Sequence, residues 1–129
     1  MNTQSQQSIF TGTILAALAV ALGAFGTHAL RPLVEAHYFE VFETGVRYQM
    51  YHALALILLG LTIQVKPLPK IIYTLFLAGI IIFSVSLYGI VLGSLSEINP
   101  VRWLGAITPF GGASLIAAWI IFAYNIIKK

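Results

Sequence analysis

A guanidinium inside an otherwise apolar stretch needs a physical reason, and Arg47 is such a residue, just ahead of Tyr48, Tyr51 and His52. At about 100° per residue, these four side chains fall within an arc of about 140° on a helix. That face would carry a cation, two phenols and an imidazole, which can grip a polar headgroup, move protons or bind one another. His28, Ser84, Tyr88 and Thr108 stand at matching positions in three other apolar runs. The expectation is a polar cluster drawn from four helices in the outer half of a bundle, the inner half being almost purely aliphatic. The candidate ligand-binding residues are His28, Arg47, Tyr48, Tyr51, His52, Ser84, Tyr88 and Thr108.

Three uses of such a cluster compete. The plainest is an interhelical hydrogen-bond network that fixes packing, each bond contributing about 0.6 kcal/mol. The second is a pocket for a lipid, quinone or other amphipathic ligand. The third is bis-histidine haem ligation by His28 and His52, for which two histidines alone carry little weight. Arg47 has a bland reading of its own: it snorkels to the headgroups or pairs with Glu43, since a buried guanidinium at the bilayer centre costs about 2.5–3.5 kcal/mol. His37 lies outside the apolar runs and is expected to face solvent.

Other chemistry is sparse. With no cysteine there are no disulfides, thiol redox relays or thiolate metal sites. No serine–histidine or metal-ligand spacing stands out, although His52 or Tyr48 could act as an acid or base. None of the four apolar runs contains Glu or Asp, which argues against a proton-coupled exporter. A small transporter or channel and, after it, a membrane enzyme remain as alternatives to a non-enzymatic accessory or amphiphile-binding protein. The residues identify no cofactor.

The elements that must position these groups are membrane spans. Of 129 residues, 59% are hydrophobic and 9% charged, against about 25% charged in a soluble domain. Too little polar surface remains to cover a globule in water. Apolar runs place spans at about 9–30, 44–65, 70–95 and 103–127; the first would extend about 33 Å, enough to cross a core of about 30 Å. A signal peptide is the competing reading of the first run, but Met1–Ser8 lacks the basic start that one needs. Lys66-Pro67-Leu68-Pro69-Lys70 breaks the second span from the third. The segment 32–43 alternates apolar residues with carboxylates and reads as an amphipathic helix on the bilayer surface. Residues 2–8 read as a short mobile tail.

The fold class is therefore all-α, an integral membrane four-helix bundle with a short interfacial helix, forming a single transmembrane domain. Gly89…Gly93 and Ala19…Gly23 are small-xxx-small pairs that allow close helix approach. Thr108-Pro109 either kinks a long fourth helix or starts it, with Thr108 as cap. Lysines at 66–70 and 128–129 place both termini in the cytoplasm, while Arg31, Arg47 and Arg102 count against that sidedness, so dual topology stays open. The net charge of +3 forms no basic cluster, so nucleic acid is not an expected partner. Membrane lipid is, together with another membrane protein or a second copy of the chain.

Two stretches resemble a known family. Gly23-Ala24-Phe25-Gly26-Thr27-His28-Ala29-Leu30 and Phe42-Glu43-Thr44-Gly45-Val46-Arg47-Tyr48-Gln49-Met50-Tyr51-His52-Ala53-Leu54 look like the domain-of-unknown-function 423 family, of the YgdD and YwdK type. Phe83–Tyr88 and Gly105–Gly112 fit its later motifs, and the eukaryotic transmembrane protein 256 is similar. The resemblance covers nearly the whole chain. It implies a small multi-pass protein of the bacterial inner membrane, and no catalytic residue.

Overall fold

The computed structural model describes residues 1–96 and 101–129, with no side-chain description at 101 and 102; the topology marker Arg102 thus lies outside the described side chains. The described chain is helical, without strands. Among the described residues, four helices are long and apolar enough to cross a membrane: α1 (Thr3–Leu33), α2 (Ala36–Val65), α3 (Ile71–Leu95) and α4, whose apolar stretch is Trp103–Ile127 within a helix of Val101–Ile127.

The first helix begins six residues before the expected span. Asn2 caps it by accepting from the backbone N–H of Ser5 at 2.8 Å, the usual role of an Asn ahead of a helix. Residues 2–8 are therefore no loose tail. Ser5 Oγ donates to the Gly60 carbonyl at 2.7 Å and Gln4 Nε2 to the Leu68 carbonyl at 3.2 Å. Side-chain polarity hid this, because periodic hydrophobicity is the signal that marks helices and here small and amide residues make the contacts.

The second difference is at 32–43. Arg31–Leu33 form one 3₁₀ turn, and α2 then runs from Ala36 without a break through the expected boundary at 44. Its 30 residues extend about 45 Å, more than the hydrocarbon core. Gly26 of α1 packs on Phe42 of α2. Glu40 and Glu43 therefore stand beside the last turns of the apolar run of α1.

The third is at Pro109, which lies inside a continuous α4. Pro109 cannot donate to the Gly105 carbonyl. One residue earlier, Thr108 Oγ1 donates to the Leu104 carbonyl at 3.0 Å and meets Ser86 Oγ at 2.6 Å. Thr108 is a mid-helix bridge to α3, not a cap.

Packing is set by where backbones touch. A Cβ on Gly12 would lie 2.6 Å from the Ala53 carbonyl, one on Gly60 2.9 Å from the Ser5 carbonyl, and one on Gly111 2.8 Å from Phe83 Cα. Gly79 is similar, with the Leu115 backbone nitrogen 3.1 Å from its Cβ position, whereas Gly89 of the expected pair meets the flexible tip of Leu104. In the apolar windows, 44% of α2 and 39% of α3 are buried, against 17% of α1 and 22% of α4. The pair α2–α3 is thus the centre, with α1 laid on α2 and α4 on α3. The main core joins Leu56, Leu59 and Ile63 of α2 to Ile72 and Phe76 of α3 and Leu115, Ala118 and Phe122 of α4. At 81–85 the α3 backbone widens into a π turn, next to Gly111.

Candidate functional site

On α2 the buried face is centred on Gly45, Gln49, His52 and Leu56, while Glu40, Glu43, Arg47, Tyr51, Leu54, Leu58 and Leu61 are exposed. At 100° per residue the exposed set forms one stripe about 80° wide. The expected polar arc straddles the edge between these faces. His52 turns inward, Arg47 and Tyr51 turn outward, and Tyr48 lies between.

The inward groups close on one another. His52 Nδ1 lies 2.7 Å from the Tyr48 carbonyl, which can only accept, so that nitrogen carries the proton. His52 Nε2 then accepts the indole N–H of Trp119 at 3.1 Å. The imidazole is the neutral Nδ1–H tautomer, and both nitrogens are used. Rings of Phe76 and Trp119 lie 6.0 and 6.1 Å from it, and Tyr48 stacks at 6.0 Å. Nearby, Tyr88 Oη donates to Gln49 Oε1 at 2.7 Å, and Gln49 Nε2 donates to the Leu15 carbonyl at 2.9 Å. Ser84 Oγ donates to the Gly45 carbonyl at 2.8 Å. These bonds tie α1, α2, α3 and α4 together.

Sequence reasoning passed over Gln49 and Trp119. Gln49 lies only about 60° beyond His52 on the helix, so a slightly wider arc includes it. Trp119 carries an N–H that must find an acceptor in apolar surroundings.

His28 does not join this group. With Gly26 level with Phe42, His28 stands near residue 40 of α2, about 18 Å along the helix from His52. It is exposed. No single iron could reach both imidazoles without rearranging the bundle. The expected aliphatic half is also not aliphatic: Thr11 Oγ1 and Tyr73 Oη share a 3.0 Å hydrogen bond and Ser5 and Ser8 are buried. Small hydroxyls are cheap to bury where a backbone carbonyl is near. Ser8 Oγ is the exception, buried without a partner among the described residues.

The outward groups border open space. Between α1 and α2 a cleft of about 100 Å³ is lined by Gly23, Gly26, Phe39, Phe42 and Val46, with Glu43 and Arg47 at its edge. Gly23 leaves the cleft open, since a Cβ there would find only Val46 Cγ1, at 3.7 Å. A second, wider cleft of about 400 Å³ shares Phe39 and Glu43 with the first and adds Arg31, Val34, Ala36 and Glu40. The Arg31 guanidinium sits 5.2 Å above the Phe39 ring. Arg47 reaches back one turn toward this end, 3.4 Å from Thr44 Oγ1, as a snorkelling side chain does.

Residues 22–112, which hold both clefts, match the family described as "Protein of unknown function (DUF423)". This chain belongs to the DUF423 family. The DUF423 protein is 39% identical over 123 residues to the UPF0382 membrane protein YwdK of Bacillus subtilis, covering 93% of this chain and 95% of that one. It is 41% identical over 118 residues to the UPF0382 membrane protein SAB0533 of Staphylococcus aureus, covering 88% of each. No solved structure matches it. With four spanning helices and relatives named as membrane proteins, the DUF423 protein is a membrane protein.

The closed network makes a quantitative prediction. A double-mutant cycle of His52→Leu and Trp119→Phe, read by reversible unfolding in bicelles, should return a coupling of about 0.6–1.7 kcal/mol, the range of interhelical hydrogen bonds in membranes. Strict additivity would mean that the indole and imidazole do not meet.

Proposed function

We propose that this protein is a non-enzymatic membrane bundle that holds an amphiphile between α1 and α2. The observation that carries the reading is the apolar cleft at Gly23, Gly26 and Phe42 that opens onto Glu43 and Arg47. A hydrocarbon chain suits the floor, and a polar headgroup suits the rim. Ligand pockets generally combine a mostly apolar lining with a few placed polar groups. The inner residues of the predicted cluster, His52, Ser84, Tyr88 and Thr108, serve the scaffold, because their polar atoms are engaged with protein partners. The ligand-facing member is Arg47; Tyr48 packs on Phe83 of α3, away from the cleft, Tyr51 lies on the exposed stripe of α2, and His28 stands at the same end as Arg47.

The same reading places the bundle in a bacterial inner membrane with both termini cytoplasmic. Lys66 Nζ donates to the carbonyls of Ile126 and Lys128 at 3.1 and 2.6 Å, which gathers the lysine-bearing turn and the C-terminus at one end. Positive residues concentrate on cytoplasmic segments.

Native mass spectrometry of protein extracted in mild detergent tests the proposal. Wild type should retain an amphiphile, and Arg47→Ala and Gly23→Leu should each lower its occupancy about tenfold, the equivalent of about 1.4 kcal/mol. Gly23→Leu fills the cleft where there is room for a side chain. Equal occupancy in all three proteins would overturn the reading.

A further inference from the structure

Resting on the amphiphile-holding reading, we infer that the amphiphile is a phospholipid with a primary-amine headgroup, of the phosphatidylethanolamine type. The two clefts between α1 and α2 share the wall made by Phe39 and Glu43, so a chain in the narrow one leads its headgroup into the wide one. The headgroup end carries charges of both signs: Arg31 and Arg47 against Glu40 and Glu43. All four are exposed.

Their sum is zero, and that selects the ligand. An anionic lipid would bring a phosphate to two arginines but leave two carboxylates facing more negative charge. A zwitterion satisfies both signs, guanidinium to phosphate and carboxylate to ammonium. Among zwitterions, a primary ammonium donates up to three hydrogen bonds to carboxylate oxygens, whereas a quaternary ammonium donates none. Choline headgroups are recognised instead by aromatic cages. Here the one aromatic ring in the wide cleft, Phe39, already lies under Arg31. The position of the site agrees with this role. Register with Gly26 holds Glu40 and Glu43 beside the end of the apolar run of α1, where a lipid headgroup meets its chains.

Competition in lipid nanodiscs, read by native mass spectrometry after release, decides the matter. Discs contain equal parts phosphatidylethanolamine, phosphatidylglycerol and phosphatidylcholine with identical chains. Wild type should retain the ethanolamine lipid about tenfold over each of the others, as one or two charge-assisted hydrogen bonds provide. The double variant Glu40→Gln, Glu43→Gln should keep a bound lipid but lose that preference, moving toward phosphatidylglycerol as two negative charges are removed. Equal retention of all three lipids by wild type, or an unchanged preference in the double variant, overturns the choice of headgroup while leaving an amphiphile site. Retention of no lipid at all overturns the amphiphile reading itself, and this inference with it.

Discussion

Gly111→Val is expected to disrupt the α3–α4 contact more than any other single substitution considered. A Cβ at Gly111 would stand 2.8 Å from Phe83 Cα and 2.9 Å from its Cβ. Backbone atoms of a neighbouring helix cannot rotate away, so the helices must separate along their whole shared seam. Overpacking a tight interior costs about 1–3 kcal/mol per substitution, occasionally more, and valine adds two methyl groups beyond the clashing carbon. The loss should be at or above the upper end. Gly105 supplies the control, six residues earlier on the same helix with nothing among the described residues within 4 Å of its Cβ position. Gly105→Val should change stability by about 0.5 kcal/mol or less. Both are read by unfolding in bicelles against added denaturing detergent. Similar losses for the two variants would mean that α4 does not lie on Phe83.

Phe76→Ala should be the most damaging truncation. Phe76 is fully buried, and its ring meets Trp119 edge-on at 5.0 Å and Phe122 at 6.5 Å. In a membrane the transfer term is small, because lipid is as apolar as the protein interior. The cavity term remains. About 100 Å³ of vacated space at about 24 cal/mol per Å³ gives about 2.4 kcal/mol. The damage should also reach His52, whose ring is 6.0 Å from Phe76 and shares Trp119 with it. Trp119 emission should therefore shift in Phe76→Ala but not in Leu58→Ala, since Leu58 lies on the exposed stripe of α2. A loss below about 1 kcal/mol would place Phe76 outside the core.

The four spans could be read from the sequence because hydrocarbon tolerates few charges, and the charges of this chain fall between the apolar runs. What escaped that reading were features decided by contact. The polar start of α1 is helical because Asn2 caps it and Ser5 finds the Gly60 carbonyl, neither of which periodicity reports. Residues 36–43 are amphipathic, as expected, yet they continue into α2, since nothing between Ala36 and Val65 breaks a helix.

The candidate cluster separated for a related reason. A helical arc gives relative direction but not which side faces the neighbours. On α2 that side is fixed by Gly45, whose missing side chain admits Tyr88 with a Cβ-to-ring distance of 2.7 Å, and by Leu56 and Leu59. The buried face consequently passes through Gln49 and His52 and leaves Arg47 and Tyr51 outside. His28 shares only its place near a span end with the cluster, and helix register holds it about 18 Å from His52.

The most direct test of the α1–α2 cleft as a lipid seat is photocrosslinking. A phospholipid bearing a diazirine in one acyl chain is incorporated with the purified protein into nanodiscs, irradiated, and the adducts are mapped by peptide mass spectrometry. The apolar recess at Trp119, Phe122 and Ile126 on α4 is the natural competitor, since it also faces lipid. Adducts concentrated on peptides containing Gly23–Gly26 and Phe39–Val46, and reduced in Gly23→Leu, are the predicted result. Adducts spread evenly over the four helices, or gathered on α4, would contradict it.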